Sequence, residues 1–169
     1  MPLLTLLLAA MLVHTPPEWR LDDQFGRPHA SADYAGTPVF LIAGGSPAAK
    51  TFDEWIDAVV RAYGVPEDSL PFRILGMADV GSAPKAVYPI IKLGLPRNRK
   101  RPVLIDPDGR VSTQYGADGA TSNQIVLGAD GAILLHLRGI PVDTAQARVI
   151  ARRLRAAVDA GAALRGRPR

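Results

Sequence analysis

Residues 38–43, PVFLIA, constrain this chain more than any other stretch. They follow a loop closed by Gly36 and Pro38, carry no charge and no side-chain hydrogen-bonding group, and end at Gly44-Gly45. A strand that is apolar on both faces has to be covered on both, which is the condition of a strand inside a sheet with helices on its faces. The next segment supplies one cover. Phe52, Trp55, Ile56, Val59, Val60 and Tyr63 recur at the spacing of one helical stripe. Ser46 stands where an N-cap belongs and Pro47 where a first helical residue belongs, while Gly64 and Pro66 end the run.

The same reasoning extends along the chain. Alternation around DDQFGR, within residues 19–29, predicts a short hairpin. FRILGM, 72–77, reads as a second buried strand, followed by a helix from about Pro84 to Leu93 that is bent or interrupted near Pro89. PVLIDPDGRV, 102–111, reads as a strand and a turn built on Pro107-Asp108-Gly109. QIVLGADGAILLHLRG, 124–139, is a strand–turn–strand hairpin. A last helix starts near Asp143 or Thr144 and runs to about Val158, with Ala147, Ile150, Ala151, Leu154 and Val158 as its apolar face. No repeat or linker divides the chain. This order describes an α/β sandwich: a central mixed β-sheet flanked by helices.

At 169 residues, with 47% hydrophobic and 21% charged residues, the chain is of a size and composition to fold as one globular domain. The net charge of +4 is localised. Arg97, Arg99, Lys100 and Arg101 form one basic loop and Arg165, Arg167 and Arg169 a basic end, leaving the rest net acidic. Such clusters attract phosphate, acidic protein or anionic lipid, or are simply solvated. LLTLLLAAMLV, residues 3–13, contains one polar residue, Thr5. It is short of the roughly 20 residues that span a bilayer and fits the apolar core of a secretory signal. No Lys or Arg precedes it, and Ala9-Ala10 is the nearest approach to a small-residue cleavage site; a buried first strand or helix is the alternative. The expected organisation is a signal segment over 1–15, one domain over 16–158 and a basic flexible tail over 159–169. That implies a periplasmic or secreted protein with no membrane span after signal removal.

LDDQFGRPHASADYAGTPVFLI resembles the opening of the redoxins, the peroxiredoxin and TlpA-like branch of the thioredoxin superfamily. VLIDPDGRVSTQYGADGATSNQIVLGADGAI resembles their second half. The likeness covers about residues 19–157 and implies a thioredoxin-like sandwich. A closer similarity is to the YtfJ family of small exported proteins, carried by IAGGSPAAK and ATSNQIVLGADG. The family's strand–WCGPCK–helix junction corresponds here to GSPAAK. Ser46 then falls where the nucleophilic cysteine would be and Ala49 where the resolving cysteine would be, and Lys50 keeps the lysine. Counting nine residues back from Gly131 puts Ser122 at the family's cis-proline, with Thr121 before it.

The chain contains no cysteine, which removes thiol–disulfide exchange, thiolate metal ligands and a lipidated N-terminal cysteine together. Ser46 as a nucleophile needs an adjacent base, and His14, His29 and His136 are not placed beside it by sequence. Three scattered histidines make no metal site, AGGSPAAKT lacks P-loop spacing, and the basic loop has no interleaved aromatics for nucleic acid. No cofactor is expected. The resemblance leaves a groove whose polar lip would be Thr121, Ser122 and Asn123, able to take an extended peptide or an envelope protein by strand addition. The expected function is a non-catalytic binding or accessory module; the alternative is a redoxin-class oxidoreductase component acting with a partner's thiols.

Overall fold

A computed structural model describes residues 16–139 and 141–165. The expected signal segment and the last four residues of the expected tail lie outside the described residues. β1 (Arg20–Asp22) and β2 (Pro28–Ala30) form the predicted hairpin. The main sheet contains β3 (Val39–Gly45), β4 (Arg73–Asp79), β5 (Val103–Asp106), β6 (Asn123–Leu127) and β7 (Ile133–Arg138). Its order is β5-β4-β3-β6-β7, with β4 parallel to β3 and β5, and β6 antiparallel to β3 and β7. The helices are α1 (Ser46–Ala49), α2 (Phe52–Tyr63), α3 (Tyr88–Gly94), α4 (Arg110–Gln114) and α5 (Thr144–Arg165).

β3 is the centre of the sheet and buried throughout, as its unbroken apolar run requires. Successive residues feed opposite faces. Phe40 and Ile42 join Ile74, Val103 and Val126 beneath Phe52, Trp55 and Ile56 of α2 and Ile150 and Leu154 of α5. Leu41 and Ala43 join Leu75, Met77 and Ile125 against Trp19, Val111 and Tyr115. On that second face the Trp19 indole N–H donates to the Tyr115 hydroxyl at 3.0 Å, tying the N-terminal hairpin to the end of α4.

The structure departs from the sequence reading in several elements. The first helix is broken in two. α1 ends at Ala49, and Thr51 bonds back to the Ala48 carbonyl through both its backbone N–H and its hydroxyl before α2 begins. Pro89 lies in the first turn of α3 rather than at a bend, and the irregularity before it is a separate helical turn over Lys85–Val87. α4 was not anticipated; five residues are too few to display a helical period, and Ser112 N–H is instead anchored by the Asp106 carboxylate at 2.7 Å. α5 runs past Val158 to Arg165, so most of the expected flexible tail is helix. Gly161 is buried within that helix.

Candidate functional site

The C-terminal ends of β3, β4 and β5 meet the loop over residues 116–122 that leads into β6. GSPAAK, the segment likened above to a family's cysteine-bearing junction, lies here. Gly45 N–H donates to the Gly119 carbonyl at 3.1 Å. A Cβ on Gly45 would stand 2.5 Å from that same oxygen, and one on Gly44 would stand 2.6 Å from the Thr121 carbonyl. The two glycines are present because another backbone lies directly on them.

β3 continues to Gly45, and this shifts the helix start. The N-cap of α1 is Gly45, in extended conformation with no side-chain capping bond, and Ser46 is the first helical residue. The expectation that Ser46 caps the helix is therefore corrected: the strand is two residues longer than its apolar run, because the polar loop opposite supplies Gly45 with its hydrogen-bond partner. Ala49 is buried in the core beside Phe52, so the position matched to a resolving thiol does not reach the surface.

Asn123 organises the loop. Its side chain is fully buried, and Nδ2 donates to the carbonyls of Ala43 at 3.2 Å, Asp118 at 2.9 Å and Thr121 at 3.0 Å. Three carbonyl partners identify that atom as the nitrogen, so Oδ1 accepts from His136, 3.1 Å away, and the His136 proton resides on Nε2. Burial, and then the charge of Arg138, hold the His136 imidazole below its ordinary 6.5. Asp118 Oδ1 accepts from Thr121 N–H and from the Thr121 hydroxyl, both at 2.9 Å, and these bonds draw its carboxyl below the usual range. Arg138 closes the loop from β7, donating to the Gly116 carbonyl at 3.0 Å and lying 3.6 Å from Asp118.

Of the three expected groove residues, only Thr121 is partly exposed. Its N–H is held by Asp118 and its carbonyl by Asn123. Ser122 is fully buried, its hydroxyl accepting from Gln124 at 2.8 Å and its carbonyl from Gly139 N–H at 2.9 Å. Two carboxylates lie in the same row of the sheet as Gly45, a placement the sequence did not signal: Asp79 pairs in register with Gly45 and Asp106 with Asp79. Asp106 is fully buried, with one oxygen on Ser112 N–H and the other without a hydrogen bond. Burial, reinforced by Asp79 and Asp108, raises its pKa.

The other described histidine is committed elsewhere. His29 lies 2.8 Å from the Tyr34 hydroxyl and 3.3 Å from Asp23, inside the hairpin; His14 lies outside the described residues. Among the described residues, no three His, Asp or Glu side chains are grouped to hold a metal ion. The four residues of the basic loop do not act as one surface. Arg101 is turned inward between Asp57 at 2.6 Å, Glu67 at 2.7 Å and Asp53 at 3.0 Å, and Lys100 reaches Asp68 at 2.6 Å. Arg97 and Arg99 remain exposed.

No protein-family model matches the chain, and no curated protein matches it. Solved structures match its fold. The pneumococcal exposed lipoprotein thioredoxin from Streptococcus pneumoniae superposes with a TM-score of 0.62 at 20% identity, over 80% of this chain and 99% of that one. BsSco, a member of the Sco family of cytochrome c oxidase assembly proteins, gives 0.62 at 11% identity, over 85% and 92%. A secreted Mycobacterium tuberculosis disulfide oxidoreductase homologous to DsbE gives 0.56 at 16% identity, over 82% and 95%. At such identities the likeness establishes the fold alone: a thioredoxin-like sandwich, here without cysteine.

Proposed function

We propose that this chain is an exported, redoxin-group protein of thioredoxin-like fold that serves as a non-catalytic binding or accessory module, in the manner suggested by its similarity to the YtfJ family. The observation that carries the reading is the closed junction. Where redox cysteines would stand, the chain has Ser46 and a buried Ala49, and the Gly119–Thr121 backbone rests on Gly44 and Gly45. Disulfide exchange proceeds through an attacking thiolate. A helix N-terminus stabilises an adjacent anion by about 1 kcal/mol, under one pK unit, which leaves a serine hydroxyl protonated at neutral pH. Export is supported by the apolar segment over 3–13 and by neighbours described as exposed or secreted.

The test is a thiol assay on the purified chain, with insulin disulfides and with peroxide as substrates. The expected rate equals that of buffer, both alone and with an added dithiol. Turnover above buffer that requires this chain overturns the reading and favours an oxidoreductase component acting with partner thiols. A fusion of residues 1–20 to a reporter that is active only outside the cytoplasm tests export, and an inactive fusion removes that part. Docking at the old groove through Thr121, Ser122 and Asn123 would require a peptide to displace Asp118 and Asn123 from Thr121. Crosslinking from envelope extract with wild type and Thr121→Arg tests this: a partner lost in the variant assigns the groove, and a partner retained moves docking to another face.

A further inference from the structure

Between Asp79 and Asp106 the chain carries no acidic residue and six basic ones. Arg101 and Lys100 are taken up by Asp53, Asp57, Glu67 and Asp68. Lys85, Lys92, Arg97 and Arg99 form no ion pair among the described residues. α3, in the same segment, is held by one side: Tyr88 donates its hydroxyl to the Pro107 carbonyl at 2.8 Å, and Ile91 packs against the core. Its other side presents Ile90 and Leu93, 68% and 66% exposed, the most exposed large hydrophobic side chains described. The hairpin tip joins this surface. Gln24 donates to the carbonyls of Pro96 and Arg101, which presses the tip against the basic loop. The neighbouring Phe25 ring is exposed, with the guanidinium groups of Arg27 and Arg99 5.7 and 5.9 Å from its centre. Two acids, Asp22 and Asp33, line the cleft between α3 and the hairpin.

We propose that this surface docks on an anionic phospholipid bilayer, with Ile90, Leu93 and Phe25 entering the interface and Lys92, Arg97, Arg99 and Arg27 contacting headgroups. The pairing of protruding apolar side chains with uncommitted cations is the chemistry of an anionic membrane surface. It suits a bilayer better than a protein, because a stable protein interface buries about 800 Å² on each partner in a packed, complementary patch, whereas a bilayer accepts separate apolar side chains and rewards each nearby cation. The inference does not rest on the absence of thiol chemistry; redox activity would overturn the function proposed above and leave this surface untouched.

The test is co-sedimentation of the full chain with vesicles of phosphatidylcholine alone and of equimolar phosphatidylcholine and phosphatidylglycerol. Residues 3–13 are apolar enough to hold the chain to any bilayer, so the readout is the ratio of binding to anionic over neutral vesicles. The expected ratio is about tenfold or more at low salt and near one at high salt. Arg97→Glu with Arg99→Glu brings it close to one, and Ile90→Ser with Leu93→Ser lowers binding to anionic vesicles several-fold. Arg152→Glu on α5 leaves the ratio unchanged, and unchanged melting temperatures establish that the variants fold. Three results overturn the proposal: a wild-type ratio near one, an equal loss with Arg152→Glu, or capture of an acidic protein through these residues without vesicle binding.

Discussion

At the junction of β3 and α1, Asp118, Thr121, Asn123 and Arg138 are all bonded to other parts of the chain. Along residues 85–99, four cations form no ion pair among the described residues, and Ile90 and Leu93 are two-thirds exposed. In sequence the first reads as a polar loop facing a strand–helix junction and the second as a helix running into a basic loop. The first is where the GSPAAK resemblance would place a pair of cysteines, and here its donors and acceptors hold the fold together. The second matches no catalytic motif, and its unsatisfied chemistry faces outward. A group already bonded within the chain must give up that bond before it can meet a partner, so the free surface is the better candidate for interaction and the closed junction the better candidate for stability.

If that contrast holds, substitutions at the junction cost stability and those on the free surface do not. The largest effect is expected at Gly45. Gly45→Val drives a side chain into the Gly119 carbonyl, 2.5 Å from the ideal Cβ, with backbone on both sides of the clash. A loss of about 4 kcal/mol or failure to fold is expected by denaturant titration, and a near-neutral outcome would break the comparison at its first term. Asn123→Ala strips the Ala43, Asp118 and Thr121 carbonyls of their shared donor and should lower stability by about 2–3 kcal/mol.

Arg101 sharpens the comparison from within the basic loop. Its side chain is 10% exposed among three carboxylates, so Arg101→Met should cost about 2 kcal/mol, less in high salt because two of those acids are more than 40% exposed. Smaller effects follow from titration. His136 has a folded pKa below its ordinary value, so its contribution is complete above about pH 6.5 and is lost as the pH falls through the folded pKa. His136→Gln should flatten the melting temperature over that interval. Asp106 has the opposite sign. Its folded pKa is raised, so its contribution is present at low pH and lost as the pH rises through the folded value. Asp106→Asn should then raise stability in neutral relative to acid solution. The smallest effect is expected for Lys100→Ala, at a pair whose two side chains are 65% and 72% exposed: no change resolvable by thermal melting.

Much of this arrangement is legible in the sequence, and the reasons differ by element. β3 and α2 are marked by burial on both faces and by a stripe of six apolar residues, and long periodic signals survive any tertiary context. α4 is not legible, since Val111 and Ser112 are buried by the sheet they land on rather than by any period of their own. The position of the junction is legible from the GSPAAK resemblance, but its closure is not. Thr121, Ser122 and Asn123 are polar and follow Gly119, the composition of an exposed lip, yet Ser122 and Asn123 are fully buried because Gln124, His136 and the Ala43 carbonyl are there to satisfy them.

By itself the sequence determined the absence of cysteine, the order of the strands and the longer helices, and the central place of residues 38–43, because residue identity, periodicity and two-sided burial are properties of neighbours along the chain. Only the tertiary structure decided which polar groups are free. Arg101 and Arg97 are alike in sequence. One lies among Asp53, Asp57 and Glu67 and the other faces solvent, because α2 and the turn after it come to rest against one end of the loop and not the other. Hydrogen bonding and ion pairing depend on which distant segments approach within about 3 Å, and that is settled by packing.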